Sequence, residues 1–252
     1  MLNFSDQVAV VTGASSGIGR AIALNMTRQG ATACLVGRNL ETLNAVARVD
    51  PALQSRFRCC PADLTRDDRL AALKDWLWKN FQTLDVLVHY AGVIAIGCVE
   101  SARVEELDWQ YQVNLRAPFV LTQAVLPRLC AHHGQIVFIN SSVADHHASA
   151  RLSQYSAMKC ALKAFVDSLR DEVNPQGIRV LTVYPGRTAS RMQEYVHQVE
   201  GKAYHPERLM QPDDIAIIVV DALALPHTAE ETEIHIRPMV PGEINAGQVI
   251  ER

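Results

Sequence analysis

The sequence predicts an α/β fold: a doubly wound, seven-stranded, mainly parallel sheet of Rossmann type with helices on both faces, in a single domain. Three observations carry this. Seven short apolar runs alternate with amphipathic segments, and helices between successive strands require parallel pairing with right-handed crossovers. The runs are nearly continuously apolar rather than alternating, as in strands covered on both faces. Directly after the first run comes a glycine-rich stretch leading into a helical pattern, the strand–turn–helix order of a phosphate-binding turn.

The elements follow in order. "QVAVVTG" opens the sheet, and "TACLVG", "SRFRCCPADL", "LDVLVHYAG", "QIVFINSS", "IRVLTVYPG" and "TEIHI" supply the other six strands. Each is rich in β-formers, and turn residues punctuate the boundaries. No repeat, low-complexity tract or Pro/Gly/Ser linker divides the chain. Residues 1–237 therefore read as one domain, and 238–252, "PMVPGEINAGQVIER", as an irregular tail.

Composition narrows the function. The 252 residues are 48% hydrophobic and 20% charged, with a net charge of −3 and basic residues scattered rather than clustered. That leaves no electrostatic footprint for nucleic acid or an anionic membrane. The start, "MLNFSDQVAVVTG", lacks a basic segment followed by an apolar signal core, and no apolar run reaches membrane-spanning length, so a cytoplasmic protein is expected. Six cysteines without CxxC spacing fit buried, reduced thiols. No HExxH motif or carboxylate-flanked cluster accompanies the pairs His132-His133 and His146-His147, so no metal site is expected.

In "TGASSGIGRAIALNMTRQG" the glycines Gly13, Gly17 and Gly19 are spaced GxxxGxG. Glycine lets the backbone turn sharply and approach a pyrophosphate, and the first N–H groups of the helix favour its charge. Ser15, Ser16 and Ile18 share that turn. At the end of the second strand, where an acidic residue would bind a ribose 2′-hydroxyl, stand Gly37 and Arg38. A guanidinium can fork onto a 2′-phosphate, so NADP (as NADPH) fits better than NAD.

In "SQYSAMKCALKAF", Tyr155 and Lys159 are four residues apart. At 3.6 residues per turn they lie on one helix face and can act on one object.

These features together resemble the classical short-chain dehydrogenase/reductase family, over residues from about Gln7 to Ile236. "TGASSGIG" is similar to its glycine motif, Asp63-Leu64 to its adenine contact, and "HYAG", His89 to Gly92, stands where the family has "NNAG". His89 and Tyr90 thus replace two asparagines, while Ala91 and Gly92 are retained. Asn114, Ser142, Tyr155 and Lys159 match the catalytic tetrad in order and spacing, and "YPGRT", with Pro185, Gly186 and Thr188, resembles the motif that meets the nicotinamide. Ser141 adjoins Ser142; strand alternation sends neighbours to opposite sides, and the spacing to Tyr155 favours Ser142.

The resemblance implies an oxidoreductase that interconverts a ketone or aldehyde with an alcohol by hydride transfer. Tyr155 would exchange the proton as general acid/base, and Lys159 would lower the phenol's pKa and hold the nicotinamide ribose. Ser142 would polarise the substrate oxygen, and Asn114 would anchor a proton relay to Lys159. Ile94 to Ile96, Val143 to Ala148 and Arg187 to Met210 are expected to shape a small-molecule carbonyl or alcohol site. Apolar residues on more than one face of the helices carrying Asn114 and Tyr155 suggest a homo-oligomer, a dimer or tetramer. The alternatives are a catalytically quiet NADP-binding sensor on the same fold, whose usual mark would be loss of the tyrosine or lysine, and an epimerase or dehydratase.

Overall fold

Every apolar run becomes a strand in the computed structural model of the chain, which describes residues 4–145 and 150–239. The strands are β1 (Val8–Thr12), β2 (Thr32–Gly37), β3 (Phe57–Pro61), β4 (Val86–His89), β5 (Gln135–Ile139), β6 (Arg179–Pro185) and β7 (Glu233–Ile236). They form one sheet in the order β3-β2-β1-β4-β5-β6-β7. All six pairings are parallel, so the expected mainly parallel sheet is parallel throughout. Between the strands run α1 (Gly17–Arg28), α2 (Leu40–Ala47), α3 (Asp67–Asn80), α4 (Val104–Tyr111), α5 (Ala117–Cys130), α6 (Ser153–Val173), α7 (Arg191–Glu200) and α8 (Pro212–Leu223).

Successive strand residues face opposite sides, so the central strands feed two cores. Ala9 and Val11 of β1 and Leu35 of β2 pack with Ile22 of α1 and Val219 of α8. Their neighbours Val10, Cys34 and Val36 face the other layer, with Leu77 of α3, Val125 of α5 and Val166 of α6. Residues of both parities are therefore buried, which is why the strands read as unbroken apolar runs.

β1 lies between β2 and β4, so the winding reverses there and a crevice opens beyond the C-terminal strand ends. Thr12 fixes this point: its buried hydroxyl donates to the Val88 carbonyl at 3.2 Å and accepts from the N–H groups of Tyr90 (3.1 Å) and Ala91 (3.2 Å).

The cysteines depart in part from expectation. Cys34 and Cys60 are buried and Cys59 and Cys130 half-buried, but Cys98, in the loop after β4, and Cys160, on the outward face of α6, are exposed; all six are free. Among the described residues no helix is long and apolar enough to cross a membrane, and no group of three or more His, Cys, Asp or Glu is placed to hold a metal ion. Of the expected tail, only Pro238 and Met239 fall within the described residues, as do Val143 to Asp145 of the stretch ending at Ala148.

Candidate active site

The turn after β1 places Gly13 (φ 68°) and Gly17 (φ 57°) in left-handed conformations that side-chain-bearing residues rarely adopt. α1 begins here with its amino end undressed. Its N-cap, Ser16, makes no side-chain capping bond, and its first turn holds no acidic residue. The N–H groups at such an end suit an anion. Yet the ring of Tyr90 lies over this turn. A β-carbon built on Gly17 would stand 2.3 Å from the Tyr90 hydroxyl oxygen, and one on Gly19 2.5 Å from its Cδ1. Burial raises the Tyr90 pKa, and a backbone hydrogen bond from Ile18 pulls the other way.

At the end of β2, Gly37 keeps space open: a β-carbon there would meet Leu43 Cδ2 at 3.2 Å and Ser15 Oγ at 3.8 Å. Arg38 is exposed beside it. Asp63, past β3, accepts from Thr65 N (3.0 Å) and Thr65 Oγ1 (2.8 Å). The Thr65 backbone bond leads in holding the Asp63 carboxyl below its usual range, with Arg38 contributing a smaller pull of the same sign. Leu64 is half-buried next to it. Ser15, Gly37, Arg38 and Asp63 thus surround one end of the crevice.

The fourth strand delivers less than its motif promises. His89 is buried, its Nε2 lies 2.9 Å from Thr122 Oγ1 on α5, and its ring stacks on Phe138 with centroids 4.7 Å apart. Burial drives its pKa down to about 3, so the imidazole is a neutral core group turned away from the glycine turn. Ala91 and Gly92 stay in the crevice wall, and a β-carbon on Gly92 would meet Asn114 Oδ1 at 3.4 Å.

Asn114 is itself buried, in a π turn over Gln112–Arg116 between α4 and α5. Its amide clasps one residue of the loop after β4: Val93 N donates to Oδ1 and Nδ2 donates to the Val93 carbonyl, both at 2.8 Å. Pro118, four residues on, has no N–H to offer the Asn114 carbonyl. The helix irregularity and the freed carbonyl coincide at the residue expected to anchor a relay.

Tyr155 and Lys159 sit on the first turns of α6, both buried. The Lys159 ammonium is 5.8 Å from the Tyr155 ring centroid and donates to the Ile139 carbonyl at 3.2 Å. Burial lowers the Lys159 pKa to about 8. It raises that of Tyr155 to about 12, with a hydrogen bond from Ser141 acting the other way and the nearby Tyr90 phenol adding to the rise. Burial of the phenol thus sets the direction of its shift, opposite to the lowering expected from the ammonium. Ser141 is the serine that hydrogen-bonds Tyr155, and Ser142 begins the 3-10 turn Ser142–Ala144. Asn140, just past the end of β5 and without a motif to mark it, links that strand end to α6: its Nδ2 donates to the Lys159 carbonyl at 3.2 Å.

At β6, Gly186 N donates to the Ile236 carbonyl at 2.8 Å, and Thr188 Oγ1 donates to the Gly186 carbonyl at 3.1 Å. Pro185 ends the strand, and a β-carbon on Gly186 would touch Pro238 Cδ at 3.3 Å. Tyr184 is turned into the sheet edge, stacked on His235 at 4.6 Å. The segment beyond is pinned at its base by a parallel bridge between Thr188 and Met210. Tyr90 is the residue in the crevice that sequence reasoning noted only as a departure; its aromatic bulk in an asparagine position was the available signal.

Comparison with known proteins agrees with this fold. A model of the short chain dehydrogenase family matches residues 7–201. An oxidoreductase of Staphylococcus epidermidis is 32% identical over 243 residues, 95% of this chain and 100% of that one. Among solved structures, an alcohol dehydrogenase of the archaeon Thermococcus sibiricus, complexed with 5-hydroxy-NADP, superposes with a TM-score of 0.83 at 26% identity, over 94% of this chain and 99% of its own. A metagenomic short-chain oxidoreductase in complex with NADP gives 0.81 at 31% identity, with the same shares covered.

Proposed function

Since the chain belongs to the short-chain dehydrogenase/reductase family, we propose that it is an NADP(H)-preferring enzyme that interconverts a ketone or aldehyde and an alcohol, with Tyr155 as general acid/base. The observation that carries this reading is the pairing of Tyr155 with Lys159 on one face of α6, at the same crevice as a glycine turn with an uncapped helix end. The donor set fits a dinucleotide: N–H groups at α1 for a pyrophosphate, and Arg38 beside Gly37 for a 2′-phosphate. Two structural neighbours with NADP or a derivative bound support the same choice.

The cofactor, when bound, supplies the hydride to the carbonyl carbon; the rest falls to the chain. A phenol with a pKa pushed up to about 12 holds its proton at neutral pH, the form required to donate to a developing alkoxide. Reduction is therefore the direction the resting site is prepared for. Ser142 hydrogen-bonds the substrate oxygen, while Ser141 holds the Tyr155 hydroxyl from the side. Lys159, with a pKa of about 8, is mainly protonated near neutrality, binds the nicotinamide ribose and returns a proton towards Tyr155, while the Asn114 carbonyl, as an acceptor, anchors the relay through which Lys159 is reprotonated. Thr188, Pro185 and Gly186 face the nicotinamide end. Ile94 to Ile96 and the segment 187–210 define the substrate space.

We assign the protein to the cytoplasm and to a homo-oligomer built on α5 and α6. Phe119 is 48% exposed on α5, and Ala157 and Ala164 are exposed on α6, an apolar, small-residue face suited to close helix packing. A monomer in analytical ultracentrifugation at micromolar concentration would overturn the oligomer. The function itself is tested by NADPH absorbance against a panel of ketones and aldehydes. Turnover of at least one, abolished in Tyr155→Phe, is the expected result; no turnover of any would refute the reading.

A further inference from the structure

The ring of Tyr90 lies where a β-carbon on any of the three glycines of the turn after β1 would meet it. Besides the approaches at Gly17 and Gly19, a β-carbon on Gly13 would stand 3.0 Å from Tyr90 Cδ1. Gly19 lacks a left-handed φ, so its backbone conformation does not demand glycine; the Tyr90 ring and the Gly13 carbonyl, 3.0 Å from such a β-carbon, do. The space that a pyrophosphate would use is filled by a phenol, whose oxygen takes the Ile18 N–H at an α1 end with no side-chain cap.

We infer that Tyr90 is a displaceable stand-in for the cofactor's pyrophosphate: its phenol occupies the glycine cradle until a dinucleotide enters, and it must rotate out before the cofactor can seat. The inference rests on the reading of this turn as the dinucleotide site.

The chemistry supports displacement. A buried N–H left without a partner is costly, so a neutral hydroxyl oxygen keeps the Ile18 donor satisfied while the site is empty of ligand. A pyrophosphate offers charged oxygens to the same donor and to the helix dipole, and charge-assisted bonds of that kind are about twice as strong as neutral ones. The phenol therefore yields to a dinucleotide, yet lowers apparent affinity by the fraction of time it spends in place. Movement is feasible for the side chain alone, because Tyr90 is only half-buried and its backbone N–H is held by Thr12. The Tyr90 phenol also lies within electrostatic reach of Tyr155, so its departure changes the surroundings of the proton-exchanging group when the cofactor arrives.

The test is NADPH binding to the full chain, followed by nicotinamide fluorescence at equilibrium and by stopped flow, in the unaltered protein, Tyr90→Ala and Tyr90→Phe. If the cradle is free about one-tenth of the time, Tyr90→Ala tightens Kd about tenfold. Tyr90→Phe, which keeps the ring but loses the bond from Ile18, falls between. The unaltered protein should show an association rate that levels off at high NADPH, limited by rotation of the ring, whereas Tyr90→Ala should stay linear. Equal or weaker binding in both variants, with unchanged association kinetics, overturns the role of Tyr90 but leaves the dinucleotide site standing. If neither the unaltered protein nor Tyr90→Ala binds NADPH or NADH, the site and the stand-in fall together. Should Tyr90→Ala fail to fold, Tyr90→Phe alone decides, since loss of the hydroxyl must still tighten binding.

Discussion

The ammonium of Lys159 lies one turn along α6 from Tyr155, 5.8 Å from the ring centroid, and spends a 3.2 Å hydrogen bond on the carbonyl of Ile139 at the end of β5. A charged group is thus held dry between a strand end and a phenol. Burial lowers its pKa from 10.5 to about 8, which has a consequence for folding as well as for proton transfer.

Below about pH 8 the folded and unfolded chains both hold the Lys159 proton, and the full cost of burying the charge is present. Between about 8 and 10.5 the folded chain gives up its proton first, so this group makes stability rise with pH. Lys159→Met should therefore be more stable than the unaltered protein at pH 7, by up to roughly 3 kcal/mol at 1.36 per pKa unit, and the gain should fade toward pH 10.5. Urea titrations of both proteins across that range check it; a gain that grows with pH would contradict the assignment.

Tyr155→Phe keeps the ring and removes the hydroxyl that Ser141 meets. Turnover should fall by about 10²–10⁴-fold, the usual share of general acid–base catalysis, with NADPH affinity nearly unchanged. Steady-state rates with any active carbonyl substrate, beside fluorescence binding, separate the two effects.

Arg38 is exposed at the β2 terminus, so its contact with a 2′-phosphate is screened by salt. A preference for NADPH over NADH of about tenfold is expected, equivalent to about 1.4 kcal/mol, shrinking as ionic strength rises. Gly37→Asp with Arg38→Ser should reverse it. A β-carbon at Gly37 would press on Cδ2 of the buried Leu43 at 3.2 Å, so that side chain must shift by a few tenths of an ångström to admit it. Dissociation constants for both cofactors at two salt concentrations measure this.

His89 predicts the acid limb. Its pKa is lowered by burial from 6.5 to about 3, so between those values the unfolded chain binds the proton and the folded chain resists it. Stability should fall as pH drops from about 6.5 toward 3, and His89→Asn should flatten that slope. Chemical denaturation at pH 6.5, 5 and 4 is the measurement, and parallel slopes in the two proteins would show that His89 does not set it.

Much of this architecture is legible in the residues themselves. Runs such as "QVAVVTG" and "QIVFINSS" read as doubly covered strands because both parities are apolar, and the structure buries both. The helical spacing of Tyr155 and Lys159 likewise survives, because it depends only on the pitch of a helix. What escapes is what depends on a single rotation or a local change of backbone. The alternation that separates Ser141 from Ser142 holds inside a strand, but β5 stops at Ile139 and a 3-10 turn starts at Ser142. Ser141 consequently faces Tyr155. The π turn at Asn114 had a signal in Pro118, yet a proline near a helix start is ordinarily no disturbance. That His89 enters the core while Tyr90 covers the glycines follows from where β4 ends, which apolar patterning locates only to within a residue or two.

The bridge between Thr188 and Met210 closes the segment after β6 at its neck, with Ala189 N donating to the Met210 carbonyl at 2.8 Å and Met210 N to the Arg187 carbonyl at 3.3 Å. Everything between those two residues hangs from a fixed collar. Its length and composition can change without pulling on β6 or α8, because loop closure costs grow only slowly with length. The segment is in this sense an interchangeable cassette: under the proposed function, some twenty positions could be rewritten for a new substrate while Tyr155 and Lys159 keep their places.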